Sequence, residues 1–299
     1  MELRELRAFV AVAEKGSMSA AARHLHISQP ALSQTVGALE RQLHLKLLIR
    51  SSTGVRPTEG GKMLLIEARA ILSRHEQAIR TMTTFAGDAC GVLRIGIPLE
   101  LPTDLLGPAM EHMASACPET RVQARHLSTT AQVAALQSGE LDVGLLRERP
   151  VAPELDAMLV ARENLGVLIT AEQAAEFSDE DGIRLETLTQ LEWLAFPRSG
   201  SPAWYDQVTA VFRSHGLNLG PEPPENQTLI AGVKIAAVRS KKAFALAPAN
   251  WPHPLPDRIV WSPLAGDPLV RRTWAAWPAN ARSRDLASFV SGFPEPATY

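Results

Sequence analysis

The sequence has few cysteines, few aromatic residues and no long apolar run. Cys90 and Cys117 are its only cysteines, and neither a Cys-x-x-Cys pair nor a Cys/His cluster is present, which argues against a disulfide framework and a zinc site. No stretch approaches the ~20 uninterrupted apolar residues of a membrane-spanning helix. The opening MELRELRAFVAVAEKG lacks the basic start and apolar core of a signal peptide. We therefore expect a cytoplasmic protein, not bound to membranes, without a metal or another cofactor.

The residues that are present have an ordinary globular composition. The chain has 299 residues, 45% hydrophobic and 21% charged, which is enough for two or three domains with cores of their own. The net charge of −2 conceals an asymmetry, because residues 1–60 hold eight Lys/Arg against five Asp/Glu and the remainder holds 22 against 27. A basic head on an acidic body indicates that the head contacts a polyanion.

Apolar spacing predicts three short helices at the N-terminus. The first ends at Gly16, the second begins at Ser17 or Ser19, and the third has Ser28 as its N-cap and Pro30 in its first turn. The apolar stripe of the third helix comprises Leu32, Val36, Leu39 and Leu43, and its other side carries Gln29, Ser33, Gln34, Gly37 and Arg41.

Two helices joined by a tight break, the second with a polar side, are typical of a helix-turn-helix. In that motif the first helix braces the second, whose N-terminal residues meet base edges in the major groove. Glutamine pairs bidentately with adenine, while serine hydroxyls and helix N-terminal amides suit phosphates. The alternative is a small helical bundle whose polar side is solvated.

The segment KLLIRSSTGVRPTEGG favours a wing of two short strands around the Ser-Ser-Thr-Gly turn. Arg50 and Arg56 flank this turn, where a winged motif places cations against the DNA backbone or the minor groove. Taken singly, each is equally compatible with an ordinary surface arginine.

A long helix is predicted from Thr58, whose hydroxyl caps it, to about Ala86. At ~1.5 Å per residue it is a rod of about 40 Å, and one apolar seam runs along it at alternating steps of four and three. Because a seam of this kind needs a partner helix, we expect a homodimer. The seam residues are Leu64, Ala68, Ile71, His75, Ala78, Met82 and Phe85.

Beyond residue 90, short apolar runs alternate with helical stretches. The strands VLRIGIP, RVQARHL and LDVGLL enclose helices predicted at 103–116 and 130–138, a βαβαβ order that predicts a parallel sheet flanked by helices. A second such unit is predicted from LGVLIT, WLAF and AFALAP, with helices near 202–215 and 226–238. The strand RRTWAAW and a helix at 282–292 complete the chain.

These motifs resemble a known family. The stretches AFVAVAEKGSMSAAARHLHISQPALSQTVGALERQL and RSSTGVRPTEGGKMLL are similar to the DNA-binding arm of LysR-type transcriptional regulators, and LRIGIP, SGELDVGLL and AFALAP are similar to strands of that family's effector domain. The resemblance implies a transcription factor that binds double-stranded DNA, responds to a small-molecule effector and forms a homodimer or homotetramer.

The fold class implied is an all-α winged helix-turn-helix with a long linker helix, followed by an α/β effector domain of two lobes like those of periplasmic binding proteins. We expect the DNA-binding domain at 1–58, the linker helix at 59–88 and the effector domain at 89–299, with lobe I at about 91–163 and 267–299 and lobe II at about 164–266. His44 stands where the family commonly has glycine.

The resemblance places Gln29, Pro30, Ser33 and Gln34 on the DNA side of the recognition helix, Arg50 on the wing and Thr58 at the start of the linker helix. With the caps and the second wing arginine, the predicted DNA-binding set is Ser19, Ser28, Gln29, Pro30, Ser33, Gln34, Arg50, Arg56 and Thr58.

In the family, the effector is often an organic anion and binds between the lobes. Hydroxyls at predicted helix starts either hold a carboxylate or cap the helix. Arg147 and Arg198 are candidate counter-ions, Glu100 would oppose an anion, and Trp204 with Tyr205 is either an apolar wall or packing. The predicted effector-binding set is Glu100, Thr103, Ser128, Thr129, Thr130, Arg147, Arg198, Ser199 and Trp204.

The competing hypothesis is a cytoplasmic solute-binding protein or a small α/β enzyme with a helical cap. The sequence has no Gly-x-Ser-x-Gly, no phosphate-binding glycine loop and no cluster of metal ligands, so we expect no catalytic residues and no enzyme. Cys90 and Cys117 fit a thiol switch or, as the local sequence favours, idle cysteines.

Overall fold

The computed structural model describes residues 1–51, 54–85, 91–225, 227–240 and 242–296. The chain divides into an N-terminal unit centred on Met1–Ala89 and a C-terminal unit formed by Cys90–Leu136 and Leu141–Tyr299. Each unit has its own core.

The N-terminal unit begins with the three predicted helices, α1 (Leu3–Lys15), α2 (Met18–His24) and α3 (Gln29–Leu43). Their predicted caps are confirmed. Helix α1 ends at Gly16, with φ at 60°. Ser17 is the N-cap of α2. The Ser28 hydroxyl accepts a hydrogen bond from the Ala31 amide at 3.3 Å, which starts α3.

His44 ends α3 in the left-handed conformation, with φ at 53°. A residue with a Cβ adopts this conformation at a cost of about 1–2 kcal/mol, and for that reason helices commonly place glycine there. His44 therefore adopts the left-handed conformation that glycine commonly adopts at this position in the family, at some cost in stability.

The wing and the long helix follow as predicted. Strands β1 (Leu48–Ser51) and β2 (Gly54–Pro57) pair antiparallel. Helix α4 (Glu59–Phe85) begins directly after Thr58, whose hydroxyl accepts a hydrogen bond from the Gly61 amide at 2.9 Å. A Cβ on Gly61 would collide with the Leu47 carbonyl oxygen, so α4 needs glycine where it passes the wing.

The predicted apolar seam of α4 has two parts, an early part that packs in the core of the N-terminal unit and a later part that is exposed. Ala68 is fully buried and Leu64 packs against the core formed with α1. Farther along, Ile71 and Met82 are 38% and 62% exposed. The first turns of the seam therefore pack within their own chain, whereas the later turns present apolar side chains to solvent. Phe85 belongs to α4, but its side chain lies outside the described part, as does Ala86.

The C-terminal unit contains helices and strands in alternation. In chain order they are β3 (Val92–Ile97), α5 (Leu106–Ala116), β4 (Arg121–His126), α6 (Thr129–Ser138), β5 (Val143–Leu146), β6 (Leu155–Thr170), α7 (Ala171–Phe177), β7 (Ser178–Asp179), β8 (Gly182–Ile183), β9 (Glu192–Trp193), α8 (Pro202–Ser214), α9 (Ala231–Arg239), β10 (Ala243–Pro248), β11 (Ile259–Ser262), β12 (Val270–Pro278) and α10 (Arg284–Ser291).

The main sheet is mixed. The parallel arrangement predicted for the first unit, β3, β4 and β5, is confirmed, whereas the prediction for the second unit is wrong because β6 runs antiparallel to β10. Its order is β4-β3-β5-β12-β6-β10-β9, with β11 also paired to β6. Strand β3 runs parallel to both β4 and β5, and β9 runs parallel to β10. Strands β6 and β12 run antiparallel to each other, and their pairs with β5, β10 and β11 are antiparallel too. Neither β6 nor β12 is preceded by the crossover helix that a parallel neighbour requires.

Two lobes are defined by separate cores. We call lobe I the part around Leu93, Met113 and Phe289, and lobe II the part around Phe212 and Phe244. The 16-residue β6 contributes Val160 to the first core and Val167 to the second. Strand β6 therefore runs through both lobes, and the predicted fold class of a winged helix-turn-helix followed by two α/β lobes is confirmed. Among the helices described, none is both long and apolar enough to cross a membrane.

Candidate DNA-binding surface and interlobe cleft

Helix α3 has one buried side and one exposed side. Leu32, Val36 and Leu39 are buried in the core of the N-terminal unit. Gln29, Pro30 and Gln34 are exposed and Ser33 is half-buried. The polar residues predicted to contact DNA therefore share a surface with solvent access, as a recognition helix requires.

A hydrogen bond fixes this surface against the preceding helix. The exposed Ser19 hydroxyl donates to Gln29 Oε1 at 2.9 Å. Because Ser19 lies in the first turn of α2 and Gln29 in the first turn of α3, the bond links the two helix starts. The Ser28 hydroxyl caps α3 nearby, so Ser19 and Ser28 have structural roles besides any contact with DNA.

The wing brings Arg50, but not Arg56, to the recognition helix. Arg50 Nη2 donates to Ser33 Oγ at 3.1 Å. In the strand register Arg50 lies opposite Val55 and Arg56 lies opposite Ile49, so the two arginines point to opposite faces of the wing. The sequence treated them alike, whereas the structure distinguishes them.

Glu40, which sequence reasoning missed, connects α3 to the wing. Its Oε1 accepts hydrogen bonds from the Leu47 amide at 2.9 Å and the Leu48 amide at 3.3 Å, and its Oε2 accepts one from Lys46 Nζ at 2.9 Å. Burial alone would raise the pKa of Glu40, but these hydrogen bonds outweigh it and hold the pKa below its ordinary value. One sequence signal could have identified Glu40: it is an acidic residue one turn before the end of α3, and the backbone amides that follow the helix need acceptors outside it.

Thr58 is engaged on both sides of its hydroxyl. It accepts from the Gly61 amide and donates to the Lys46 carbonyl at 2.7 Å. The predicted capping role of Thr58 is therefore present, and it holds the start of α4 against the wing.

In the C-terminal unit a cavity of about 730 Å³ lies between the lobes. Apolar side chains make up much of its wall, and Trp193, Phe196 and Trp204 supply aromatic rings from lobe II. Trp204 also packs into the core of lobe II, so it is both wall and packing. Of the predicted effector residues, Glu100, Ser128, Thr129, Thr130, Arg147, Ser199 and Trp204 line the cavity.

Thr103 and Arg198 lie apart from it. Helix α5 begins at Leu106, so the Thr103 hydroxyl is not at a helix start and that expectation was wrong. Arg198 is exposed and forms a bidentate pair with Asp206 at 2.8 and 2.7 Å, which raises the pKa of the guanidinium. Asp206 engages Nε and Nη2 of Arg198, and the side chain is not part of the cavity wall.

The hydroxyls of the cavity wall have partners within the protein. Ser128 Oγ accepts from the Ala131 amide at 3.3 Å, which makes it the cap of α6. Thr129 Oγ1 accepts from the Arg147 amide at 3.0 Å. Thr130 Oγ1 donates to the Ser199 carbonyl at 2.8 Å and so bridges lobe I to lobe II. Capping and ligand binding remain compatible for Ser128 and Thr129, since each hydroxyl keeps a proton to donate.

A buried cluster of charges lies at the floor of the cavity, where Glu100, Arg147, Lys234 and Arg271 line the wall and Glu163 lies behind them. Arg271 pairs with Glu163 through two contacts of 3.0 Å and with Glu100 Oε2 at 3.3 Å. Lys234 Nζ lies 2.7 Å from Glu100 Oε1, and Arg147 Nη1 lies 3.5 Å from Glu163 Oε2. Each of these side chains is at most 10% exposed.

The cluster has one more cation than it has carboxylates. Burial, and then the charge of Arg271, lowers the pKa of Arg147 to about 9, although Glu163 and Glu100 oppose the shift. Burial likewise lowers the pKa of Lys234 in spite of Glu100. For Arg271, burial lowers the pKa, but Glu163 and Glu100 outweigh it and the net shift is upward. Arg271 is thus the best-paired cation, and Lys234 and Arg147 share the surplus positive charge.

Glu163, Lys234 and Arg271 were not predicted. They lie far apart in the sequence, on β6, α9 and β12, and only the fold brings them together. The signal available was a charged residue on the buried side of an otherwise apolar strand or helix.

Cys117 forms part of neither site. Cys117 is half-buried and is the C-terminal cap of α5, and Cys90 lies outside the described residues. Within the described ranges, no group of three or more His, Cys, Asp or Glu side chains is arranged to hold a metal ion.

Comparison with known proteins gives two family matches. Residues 3–62 match the bacterial regulatory helix-turn-helix model of the lysR family, and residues 86–293 match the LysR substrate binding domain. The uncharacterized HTH-type transcriptional regulator YnfL of Escherichia coli (strain K12) is 30% identical over 94% of this chain and 93% of its own. The HTH-type transcriptional regulator BenM of Acinetobacter baylyi is 32% identical over 84% of this chain and 81% of its own.

Solved structures agree with these matches. CbnR, a LysR family transcriptional regulator, superposes with a TM-score of 0.72 at 27% identity and 98% coverage of both chains. Full-length CbnR in complex with its target DNA superposes with a TM-score of 0.68 at 25% identity, covering 98% of this chain and 99% of that one. The chain belongs to the LysR family of bacterial helix-turn-helix transcriptional regulators.

Proposed function

We propose that the exposed side of α3 reads a specific double-stranded DNA site and that the wing contacts its backbone through Arg50. The observation that carries this proposal is the surface formed by Gln29, Ser33 and Gln34 on α3 with Arg50 bonded to Ser33. Base edges suit the amides of the glutamines, and phosphates suit the arginine. The family and the DNA complex of the related CbnR support this assignment.

The interlobe cavity is the proposed effector site. Its volume suits a small organic molecule, its wall is largely apolar, and its floor carries a surplus positive charge. We infer that the effector combines an apolar or aromatic body with a negatively charged group. Ser128, Thr129 and Thr130 are the proposed hydroxyl contacts, and Arg147 acts as a wall cation rather than as the main counter-ion.

We further propose a homodimer formed through the later turns of α4, or a homotetramer that contains such a dimer. Ile71, Ile79 and Met82 expose apolar side chains on a helix long enough to pair. The working division of the chain remains 1–58 for DNA binding, 59–88 for dimerisation and 89–299 for the effector, and the proposed place of action is the cytoplasm, where a bacterial chromosome lies.

The alternative of a solute-binding protein or an enzyme has no support from the relatives, because the proteins named above are transcriptional regulators. The proposed function is tested by fluorescence anisotropy of the full chain on DNA flanking its own gene and on DNA selected from a random pool. We expect tight binding whose log K falls with log salt at a slope of about −0.9 per phosphate contacted. A chain that binds neither DNA, or binds without salt dependence, contradicts the proposal.

A further inference from the structure

Glu100 occupies an unusual position at the boundary of the two lobes. It follows β3 in lobe I and has a left-handed backbone with φ at 60°. Its carbonyl oxygen accepts hydrogen bonds from Arg147 Nη2 at 2.6 Å and Arg271 Nη2 at 3.1 Å. Two buried guanidinium groups therefore hold the backbone in a conformation that glutamate rarely adopts, and this fixes where the side chain begins.

The carboxylate of Glu100 reaches across the cleft to lobe II. It lies 2.7 Å from Nζ of Lys234, a residue of α9. The other contacts of Lys234 belong to lobe II: Nζ donates to the Leu246 carbonyl at 2.9 Å and lies 5.2 Å from the centre of the Trp251 ring. Glu100 is thus the partner of Lys234 that belongs to the opposite lobe.

The two carboxylates of the cluster differ in how an incoming molecule would meet them. Glu163 is 1% exposed, is bound by Arg271 through both oxygens and does not line the cavity. Glu100 lines the cavity. Its Oε2 accepts hydrogen bonds from Lys234 Nζ at 2.9 Å and Arg271 Nη1 at 3.3 Å, whereas its Oε1 is buried without a hydrogen bond of good geometry from the described residues, although Lys234 Nζ lies 2.7 Å away. Glu100 is therefore the carboxylate that borders the cavity and the less completely satisfied of the two.

A second position that suits an anion is occupied in the same way. The N-terminus of α8 faces the cleft, and its Trp204 amide donates at 2.9 Å to the carboxylate of Glu148 from lobe I. Two carboxylates of lobe I thus bind positive groups of lobe II: Glu100 pairs with Lys234, and Glu148 accepts a hydrogen bond at the start of α8.

We propose that Glu100 sets the charge selectivity of the cleft by acting as a tethered competitor: its carboxylate occupies the position on Lys234 that a negatively charged group of the effector takes. This inference rests on the proposed effector site. An effector anion replaces the Glu100 carboxylate at Lys234, keeps the Leu246 and Trp251 contacts of the lysine intact and breaks an ion pair between the lobes. Occupancy of the cleft is in this way linked to the separation of lobe I from lobe II.

The test compares full-length wild type with Glu100→Gln by calorimetric titration at constant ionic strength. The probes are 3-phenylpropionate, which pairs an aromatic ring with a carboxylate, and its neutral analogue 3-phenylpropionamide. The substitution removes the negative charge of Glu100, so that Glu163 is the carboxylate left in the cluster beside Lys234, Arg147 and Arg271. We expect the variant to lower the Kd of the carboxylate at least about tenfold and to change the Kd of the amide less than about twofold.

Glu225→Gln is the matched control, because Glu225 also lines the cavity but belongs to no ion pair with Lys234. It removes the same charge and should tighten the carboxylate less than about threefold. Adding Lys234→Met to Glu100→Gln should abolish the gain. If Glu100→Gln does not fold, Glu100→Asp shortens the tether by one methylene and should tighten the carboxylate by a smaller factor, while Lys234→Met alone should weaken it.

Equal Kd values for the carboxylate in wild type and Glu100→Gln, including no binding to either, overturn the inference. So does an equal gain for the amide, or a gain in Glu225→Gln as large as that in Glu100→Gln. DNA binding of the wild type is measured on the same preparations. Intact DNA binding with equal, measurable Kd values in the two proteins refutes only the competitor, and absence of probe binding to every variant also counts against the proposed effector site. Absent DNA binding refutes the proposed DNA reading.

Discussion

Arg50 and Arg56 show how the same residue type acquires different roles within one hairpin. The strand register turns them to opposite faces, and the structure bonds only Arg50 to the recognition helix through Ser33. In the proposed mode of DNA binding, a cation beside the exposed side of α3 contacts a phosphate of the site that α3 reads, whereas a cation on the opposite face of the wing does not.

We predict that Arg50→Ala weakens DNA binding by about tenfold and lowers the salt slope by about one, because one phosphate contact is lost. Arg56→Ala removes the same charge from the same hairpin and serves as the matched control, with an expected loss below about threefold. Anisotropy titrations at several salt concentrations measure both quantities. Equal losses in the two variants would show that the charge of the wing matters and the side chain's position does not.

Glu40 is a second residue whose importance depends on its surroundings. Its carboxylate gathers the Leu47 and Leu48 amides and Lys46, so it fixes the wing relative to α3. We expect Glu40→Gln to lower the free energy of unfolding by about 1–2 kcal/mol, since a charge-assisted acceptor is replaced by a neutral one. Glu67→Gln, on the exposed surface of α4, should leave it unchanged within about 0.5 kcal/mol.

The contribution of Glu40 should also depend on pH. Its pKa in the folded protein is lowered, so the stabilisation is present above the ordinary pKa of a glutamate and is lost as the pH falls through the lowered value. Urea denaturation of wild type and Glu40→Gln should therefore differ most near neutral pH and converge in acid. A difference that grows in acid would mean that the protonated carboxyl makes the stabilising contacts.

At the scale of single elements, the ends of the N-terminal helices could be predicted from the sequence because local hydrogen bonds determine them. The caps at Ser17, Ser28 and Thr58 and the stop at Gly16 gave α1 to α4 their ends because cap hydrogen bonds involve residues within a single turn. The first half of β6 escaped prediction because Asp156, Arg162 and Glu163 interrupt its apolar alternation. The buried Glu163 is explained by Arg147 and Arg271, partners 16 and 108 residues away that no local pattern contains, whereas Asp156 and Arg162 are exposed.

The later turns of α4 carry the prediction for the dimer. Met82 and Ile66 are 62% and 67% exposed, but only Met82 lies on the predicted seam. We expect Met82→Glu to dissociate the dimer, because the substitution places a charge in an apolar interface, and Ile66→Glu to leave the dimer intact. Analytical ultracentrifugation at several protein concentrations distinguishes the two. If Ile66→Glu dissociates the dimer and Met82→Glu does not, the interface lies on the other side of the helix and the prediction is wrong.

At the scale of the whole molecule, the charged floor of the cleft was not predicted, whereas the exposed polar side of α3 was. The recognition face lies within one helix, so a contiguous stretch of sequence encodes it. The cleft floor is assembled from Glu100, Arg147, Glu163, Lys234 and Arg271, which come from separate strands, a loop and a helix. Arg198 was expected to be a counter-ion because of its charge and the resemblance of its stretch to the family's cleft, and its pairing with Asp206 eight residues later became visible only in the folded chain.

The molecule thus combines a proposed DNA-reading surface with a cleft that holds three buried cations against two buried carboxylates. Family membership establishes the regulator, while the assignment of base reading to α3 rests on the placement of Gln29, Ser33 and Gln34. That assignment is the central claim, and it concerns specificity rather than affinity.

The most direct test measures the ratio of affinities for selected and random DNA in wild type and Gln34→Ala at a single salt concentration. We expect the wild type to prefer its selected site by at least about 10³, and Gln34→Ala to reduce that preference about tenfold or more with its affinity for random DNA changed less than about twofold. An equal loss on selected and random DNA would show that Gln34 contacts the backbone, and an unchanged preference would show that α3 does not read the bases through this residue.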